Sequence, residues 1–328
     1  MFHTRIAGTG SYLPERILSN FELEKMVDTN DQWIRERTGI ESRHLAVEGE
    51  TTSDLAYKAS LKALEAAGMK PADLDMIIFA TVTGDQVLPA TACFLQDKLG
   101  CKSIPAFDLA AACTGFIYGL TIADQFIRTG MYKNILVVGA EILHNYVNYK
   151  DRETCILFGD GAGAFVVSRA QPGEVGRIMS SHLKAEGSLA ELLTVDGLGS
   201  KKPLNAGTFN SEASFIKMKG REIYKNAVRV MSQCAQEALE FNKTAIADVA
   251  WLIPHQANTR IMEAVANHFD FPQERVINIL KDMGNTSSAT VPIAFDTGIR
   301  DGRIKRGQTI LMTAFGGGLT SGSMLLVY

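Results

Sequence analysis

The chain has 328 residues, 46% hydrophobic and 21% charged, with a formal net charge of −3. These are ordinary globular values, long enough for two domains, and they set aside disordered and fibrous classes. They also give no global attraction to nucleic acid, no apolar run near the roughly 20 residues of a membrane helix, and no secretory core in the opening MFHTRIAGTGSYLPER.

Five cysteines, at 93, 101, 113, 155 and 234, form an odd set without short paired spacing. That pattern speaks against a disulfide framework or a zinc site and for a reducing cytoplasm. The first clear element is TTSDLAYKASLKALEAAG, a helix opened by a capping box from Thr51 to Asp54 and closed by Gly68. DMIIFATV then reads as a buried strand, and PATACFLQDKLG as a helix between Pro89 and Gly100. SIPAFDLA and KNILVVGA are two further strands, separated by a helix from about Cys113 to Gly130. Short apolar strands alternating with helices indicate a layered α/β chain.

The second half repeats this order. ALEAAGMKPADLD, from Ala63, lies over ALEFNKTAIADVA, from Ala238. IRTGMYKNILVVGA, from Ile127, lies over IRDGRIKRGQTILMTA, from Ile299, with a small insertion. FGDGAGAFVV, from Phe158, resembles FGGGLTSGSMLLV, from Phe315. The pattern predicts duplicated α/β halves, 1–172 and 173–328. Cys113 and Asn285 each stand 14 residues before their IR-x-G motif, which predicts that they occupy equivalent helix starts facing one another.

A cysteine at a helix start meets unpaired N–H groups and the positive dipole end, which favour the nucleophilic thiolate. DLAAACTGF surrounds Cys113 with small residues that let a substrate approach. A reactive cysteine needs a histidine and a polar amide or carboxylate from elsewhere in the chain. LIPHQANTR offers His255 after an apolar strand, and DMGNTSSAT offers Asn285, a neutral donor that does not titrate. GDGAGA follows no dinucleotide fingerprint and reads as a turn between strands. Arg221, Lys225 and Arg229 recur every four residues and line one helix face.

AAACTGF, PHQAN, GNTSSA and FGGGLTSG, in that order, resemble the β-ketoacyl-acyl carrier protein synthase III family of the thiolase fold. GTGSYLPER, MVDTNDQWIRERTGI and FGDGAGA extend the resemblance over nearly the whole chain. It implies a thiolase-like αβαβα architecture, a homodimer and a decarboxylative condensation that starts fatty acid synthesis. Cys113 would carry the acyl group from acyl-CoA, and His255 and Asn285 would hold the malonyl thioester oxygen as malonyl-acyl carrier protein loses CO₂. The backbone N–H groups of Cys113 and Gly317 would form the oxyanion hole. Trp33, Arg37 and Arg152 match coenzyme A contacts, and Lys225 and Arg260 match carrier-protein docking positions, to which the stripe adds Arg221. No metal or resident cofactor is implied, since acyl-CoA and malonyl-acyl carrier protein are substrates.

Leu88 and Leu319 stand at acyl-pocket positions where some relatives carry bulkier residues, which predicts room for a longer or branched primer. Asn267 and His268 replace a lysine pair of some relatives and weaken the docking argument. A same-fold acyltransferase and a specialised-metabolism condensing enzyme remain alternatives. The order Cys…His…Asn also fits a papain-like peptidase, although the local signature of that class is missing.

Overall fold

The computed structural model describes residues 1–203, 205 and 212–328. Strand β1 (Thr4–Tyr12) leads into the antiparallel pair β2 (Arg16–Ser19) and β3 (Ser42–Leu45), which flanks helices α1 (Asn20–Leu23) and α2 (Asp31–Thr38). Helix α3 (Thr52–Ala67) has the expected capping box, and Gly68 ends it at φ 64°, where a left-handed residue is needed. Then follow β4 (Met76–Ala80), α4 (Thr91–Lys98), β5 (Ala106–Leu109), α5 (Gly115–Arg128), β6 (Asn134–Glu141) and β7 (Gly161–Arg169). The apolar run that predicted β4 is explained by its environment: all five residues are buried.

The rest of the chain forms β8 (Arg177–Ala185), the short pair β9 (Leu193–Val195) and β10 (Ile216–Met218), and the long helix α6 (Gly220–Phe241). After it come β11 (Trp251–Pro254), α7 (Thr259–His268), α8 (Leu280–Met283), α9 (Thr290–Arg300), β12 (Thr309–Gly316) and β13 (Thr320–Val327). The first sheet runs β1-β7-β6-β4-β5 and the second β11-β12-β13-β8. In each, one parallel pair (β4 with β6, β11 with β12) continues into two antiparallel pairs. Val276 bridges Leu252 in parallel at the free edge of β11, where β5 stands in the first sheet.

Helices α3 and α4 cover the first sheet from outside, α6 and α7 cover the second, and α5 and α9 lie between them. This is the αβαβα layering expected from the sequence. In the middle layer Phe165 of β7 meets Phe116 of α5 and Phe295 of α9 edge-on, with centroids 4.8 and 5.0 Å apart. Each of the three rings is fully buried, contributing about 1.5–3 kcal/mol. Asp296 of α9 reaches across to β1, accepting from Thr9 Oγ1 and Ser11 Oγ at 2.7 Å each.

One detail corrects the reading of equivalent helix starts. Each middle helix is preceded by a tight 3₁₀ turn, Ala112–Thr114 before α5 and Ser287–Ala289 before α9. Both turns begin on a residue of positive φ, Ala112 at 45° and Ser287 at 50°. Counted from these turns, Cys113 corresponds to Ser288, and Asn285 lies three residues earlier. The cause is helix length: α5 has 14 residues and α9 has 11, so motifs at the helix ends align differently from the starts.

Candidate active site

Cys113 is placed by the chain leaving β5 and turning into α5. The turn packs tightly on β12: a Cβ at Gly316 would lie 2.7 Å from the Cys113 nitrogen, closer than real side chains come. Glycine is therefore required at 316. Thr114 Oγ1 fixes the turn from within through the Ala111 carbonyl at 2.6 Å. Burial pushes the Cys113 thiol up to about 12, against a smaller downward pull from the Ser287 hydroxyl. The resting residue is thus a thiol, and the thiolate expected from the helix start is not its standing form.

His255 follows β11, and its N–H donates to the Thr313 carbonyl at 2.8 Å. The ring is fully buried, edge-on to Phe315 at 5.6 Å. Its Nδ1 lies 2.6 Å from Thr290 Oγ1, while Nε2 is buried without a protein partner. Burial lowers its ionisation to about 3, so the imidazole is neutral at physiological pH.

Asn285 is held by its backbone. Its N–H donates to the Leu157 carbonyl at 2.8 Å, and its carbonyl accepts from Gly159 N–H at 3.0 Å. The preceding Gly284 has φ 65° and sits against Leu157, where a Cβ would come within 2.8 Å of that carbonyl. Oδ1 of Asn285 accepts from the Ser287 N–H at 2.8 Å. The side-chain oxygen is thereby engaged and the amide NH₂ is left as a donor.

A cavity of about 490 Å³ joins these three residues, each no more than 8% exposed, to the exposed Arg37, Arg221 and Arg260. Trp33 lies on α2 beside the opening, with the Arg37 and Arg152 guanidinium carbons 5.3 and 5.1 Å from its ring centroid. Arg260 also donates to the Glu36 carbonyl at 2.7 Å, which ties α7 to α2. Lys225 is exposed on α6, whereas Arg229 of the same stripe is engaged by both carboxylate oxygens of Glu186 at 2.9 Å.

Three other expected residues do not line this cavity directly. Gly317 forms the turn after β12, facing Leu193, and Leu319 is buried in the core of the second half. Leu88 is 82% exposed on the loop before α4. Sequence reasoning passed over Ser287, Thr290, Gly316 and the 157–159 clamp. The run of small polar residues after Asn285, GNTSSAT, was the available signal for the first two.

Two family models match the chain: 3-oxoacyl-[acyl-carrier-protein (ACP)] synthase III over residues 107–187, and the C-terminal part of the same synthase over 239–328. A β-ketoacyl-[acyl-carrier-protein] synthase III of Xanthomonas campestris pv. campestris is 50% identical over 326 residues, 99% of this chain and 98% of that protein. The chain belongs to the β-ketoacyl-[acyl-carrier-protein] synthase III family. It is a thiolase-fold condensing acyltransferase, and its condensation initiates fatty acid synthesis. The crystal structure of the synthase III from Aquifex aeolicus VF5 superimposes with a TM-score of 0.92 at 48% identity, covering 99% of this chain and all of the other. The priming β-ketosynthase of the R1128 polyketide pathway also superimposes, with a TM-score of 0.91 at 33% identity over 99% of this chain and 96% of that one. Among the described residues no helix is long and apolar enough to cross a membrane.

Proposed function

We propose that Cys113 takes an acyl group from acyl-CoA and passes it to the carbanion of malonyl-acyl carrier protein. The observation carrying this reading is a continuous cavity that runs from exposed arginines to buried Cys113, His255 and Asn285. In the first half-reaction the thiol sulfur bonds the acyl carbon, the thioester bond to coenzyme A breaks, and the proton leaves with the coenzyme A thiol. Malonyl thioester then enters and loses CO₂, and its enolate oxygen is held by donors from His255 and Asn285. The enolate carbon attacks the acyl group, 3-ketoacyl-carrier protein departs, and the freed thiolate takes a proton from solvent. Backbone N–H groups of Cys113 and Gly317 face the acyl carbonyl in this scheme.

Trp33, Arg37 and Arg152 supply stacking and positive charge for the adenine and phosphates of coenzyme A. Arg221, Lys225 and Arg260 receive the acidic carrier protein. Leu88 and Leu319 bound the acyl site, Leu88 from a second copy of the chain. Support for a homodimer comes from the half-exposed outer strand β5 and the adjacent Val87 and Leu88, 99% and 82% exposed. The strand orders of the two sheets support duplicated units at 1–172 and 173–328. Five free cysteines, Cys93 exposed among them, accord with a reducing cytoplasm.

The test is mass spectrometry of the reduced protein after mixing with acetyl-, isobutyryl- or octanoyl-CoA. One acyl adduct on Cys113, discharged by malonyl-carrier protein, is expected. No adduct with any of the three overturns the reading, and strict acetyl preference overturns the wider primer pocket.

A further inference from the structure

We propose that Thr290 is a positioning residue whose hydroxyl donates to His255 Nδ1 and thereby fixes the neutral imidazole with its proton on Nε2, toward the cavity. The inference rests on the proposed role of His255 and extends it to a residue that role does not include. Thr290 Oγ1 has one proton and two acceptors in reach, His255 Nδ1 at 2.6 Å and the Ser287 carbonyl at 3.0 Å. The Ser287 carbonyl already accepts the Thr290 backbone N–H. Among the described residues His255 Nδ1 has Thr290 alone within hydrogen-bond distance, and that contact is the shorter. The Ser287 carbonyl thus keeps a donor when the hydroxyl proton turns to the closer ring nitrogen, in a place where both side chains are fully buried.

The tautomer follows from this bond, since the partner of one ring nitrogen decides which nitrogen carries the proton. With Nδ1 accepting, Nε2 carries hydrogen, and it is the buried atom without a protein partner on a residue that lines the cavity. His255 and Asn285 then present two neutral N–H donors to one oxygen, the arrangement that stabilises a developing enolate without a resident charge. The same bond denies His255 the role of resting base toward Cys113, because Nε2 has no lone pair to offer. A bond in the opposite sense, Nδ1–H to Thr290 Oγ1, would make His255 a base and leave the enolate one donor short.

Two measurements test the assignment. Protein labelled with ¹⁵N-histidine, with the His255 signal assigned by its loss in His255→Gln, reports the tautomer of the resting enzyme directly. The Nε2–H form is expected, and the Nδ1–H form overturns the proposal whatever the substrate proves to be. Thr290→Val keeps the shape and removes the hydroxyl, while Thr290→Ser keeps it. Malonyl-carrier protein decarboxylation should fall about 10- to 100-fold in Thr290→Val, with Cys113 acylation near wild type and recovery in Thr290→Ser. Unchanged decarboxylation in Thr290→Val, or equal losses in both half-reactions, overturns it. The tautomer reading needs no variant of Thr290, so it decides the question even where the valine protein does not fold.

Discussion

Cys113 and His255 sit in the same buried pocket, yet each is held in its uncharged form by loss of solvent. This sets the site apart from a thiolate–imidazolium pair, in which the cysteine is ionised well below neutrality. Alkylation of Cys113 by iodoacetamide should accordingly accelerate with pH through 9 and beyond, where an ion-paired thiolate would give a flat rate from mildly acid pH upward. His255 has a stability consequence of its own. Its ordinary value of 6.5 falls to about 3 in the folded protein. Below 6.5 the unfolded chain binds a proton that the folded chain refuses, so stability is lost as pH falls from about 6.5 toward 3. His255→Gln should flatten that segment of a plot of Tm against pH, by at most one proton's worth of slope. Both residues were legible because their types are rare and chemically distinctive. Thr290 and Ser287 were not, since a hydroxyl in a small-residue run gains its meaning only from the atoms folded against it.

At the level of elements, the sequence announced strands, caps and turns through burial and local geometry, as the all-buried β4 and the Gly68 cap show. It could not announce the fit of β12 against the cysteine turn, which joins segments some 200 residues apart. Gly316→Ala should force the two apart and reduce Cys113 acylation about 10²-fold, the scale of an ångström misplacement. Gly187→Ala, where the added methyl meets nothing within 4 Å, is the matched control and should leave the rate unchanged. The basic stripe on α6 was visible as a spacing, but its division was not, because Glu186 is distant in sequence from Arg229. Reversing charge at Arg221, Lys225 or Arg260 should raise KM for the carrier protein about tenfold, with weaker discrimination at high salt. Arg229→Ala should cost at most about 1 kcal/mol of stability, since its partly exposed ion pair is screened by solvent.

On the scale of the whole molecule, the order of parallel and antiparallel pairs repeats between the two sheets. Internal similarity in the sequence accords with this order, while the three-residue difference between α5 and α9 shifts the match at the helix starts. Assembly is the next level: if the proposed homodimer uses this loop, Val87→Asp with Leu88→Asp should shift the protein toward monomer in sedimentation, and an unchanged sedimentation profile would remove the loop from that proposal. The corrected match gives Ser288 a second significance. At the position where the first turn carries Cys113, the second carries a buried hydroxyl 2.9 Å from Glu141 and 3.0 Å from the Ala80 carbonyl, both in the first sheet. Two identical subunits would have to place the same residue at both turns. Within one chain the two turns differ: one presents a thiol to the cavity, and the other uses a hydroxyl to tie its helix to the first sheet.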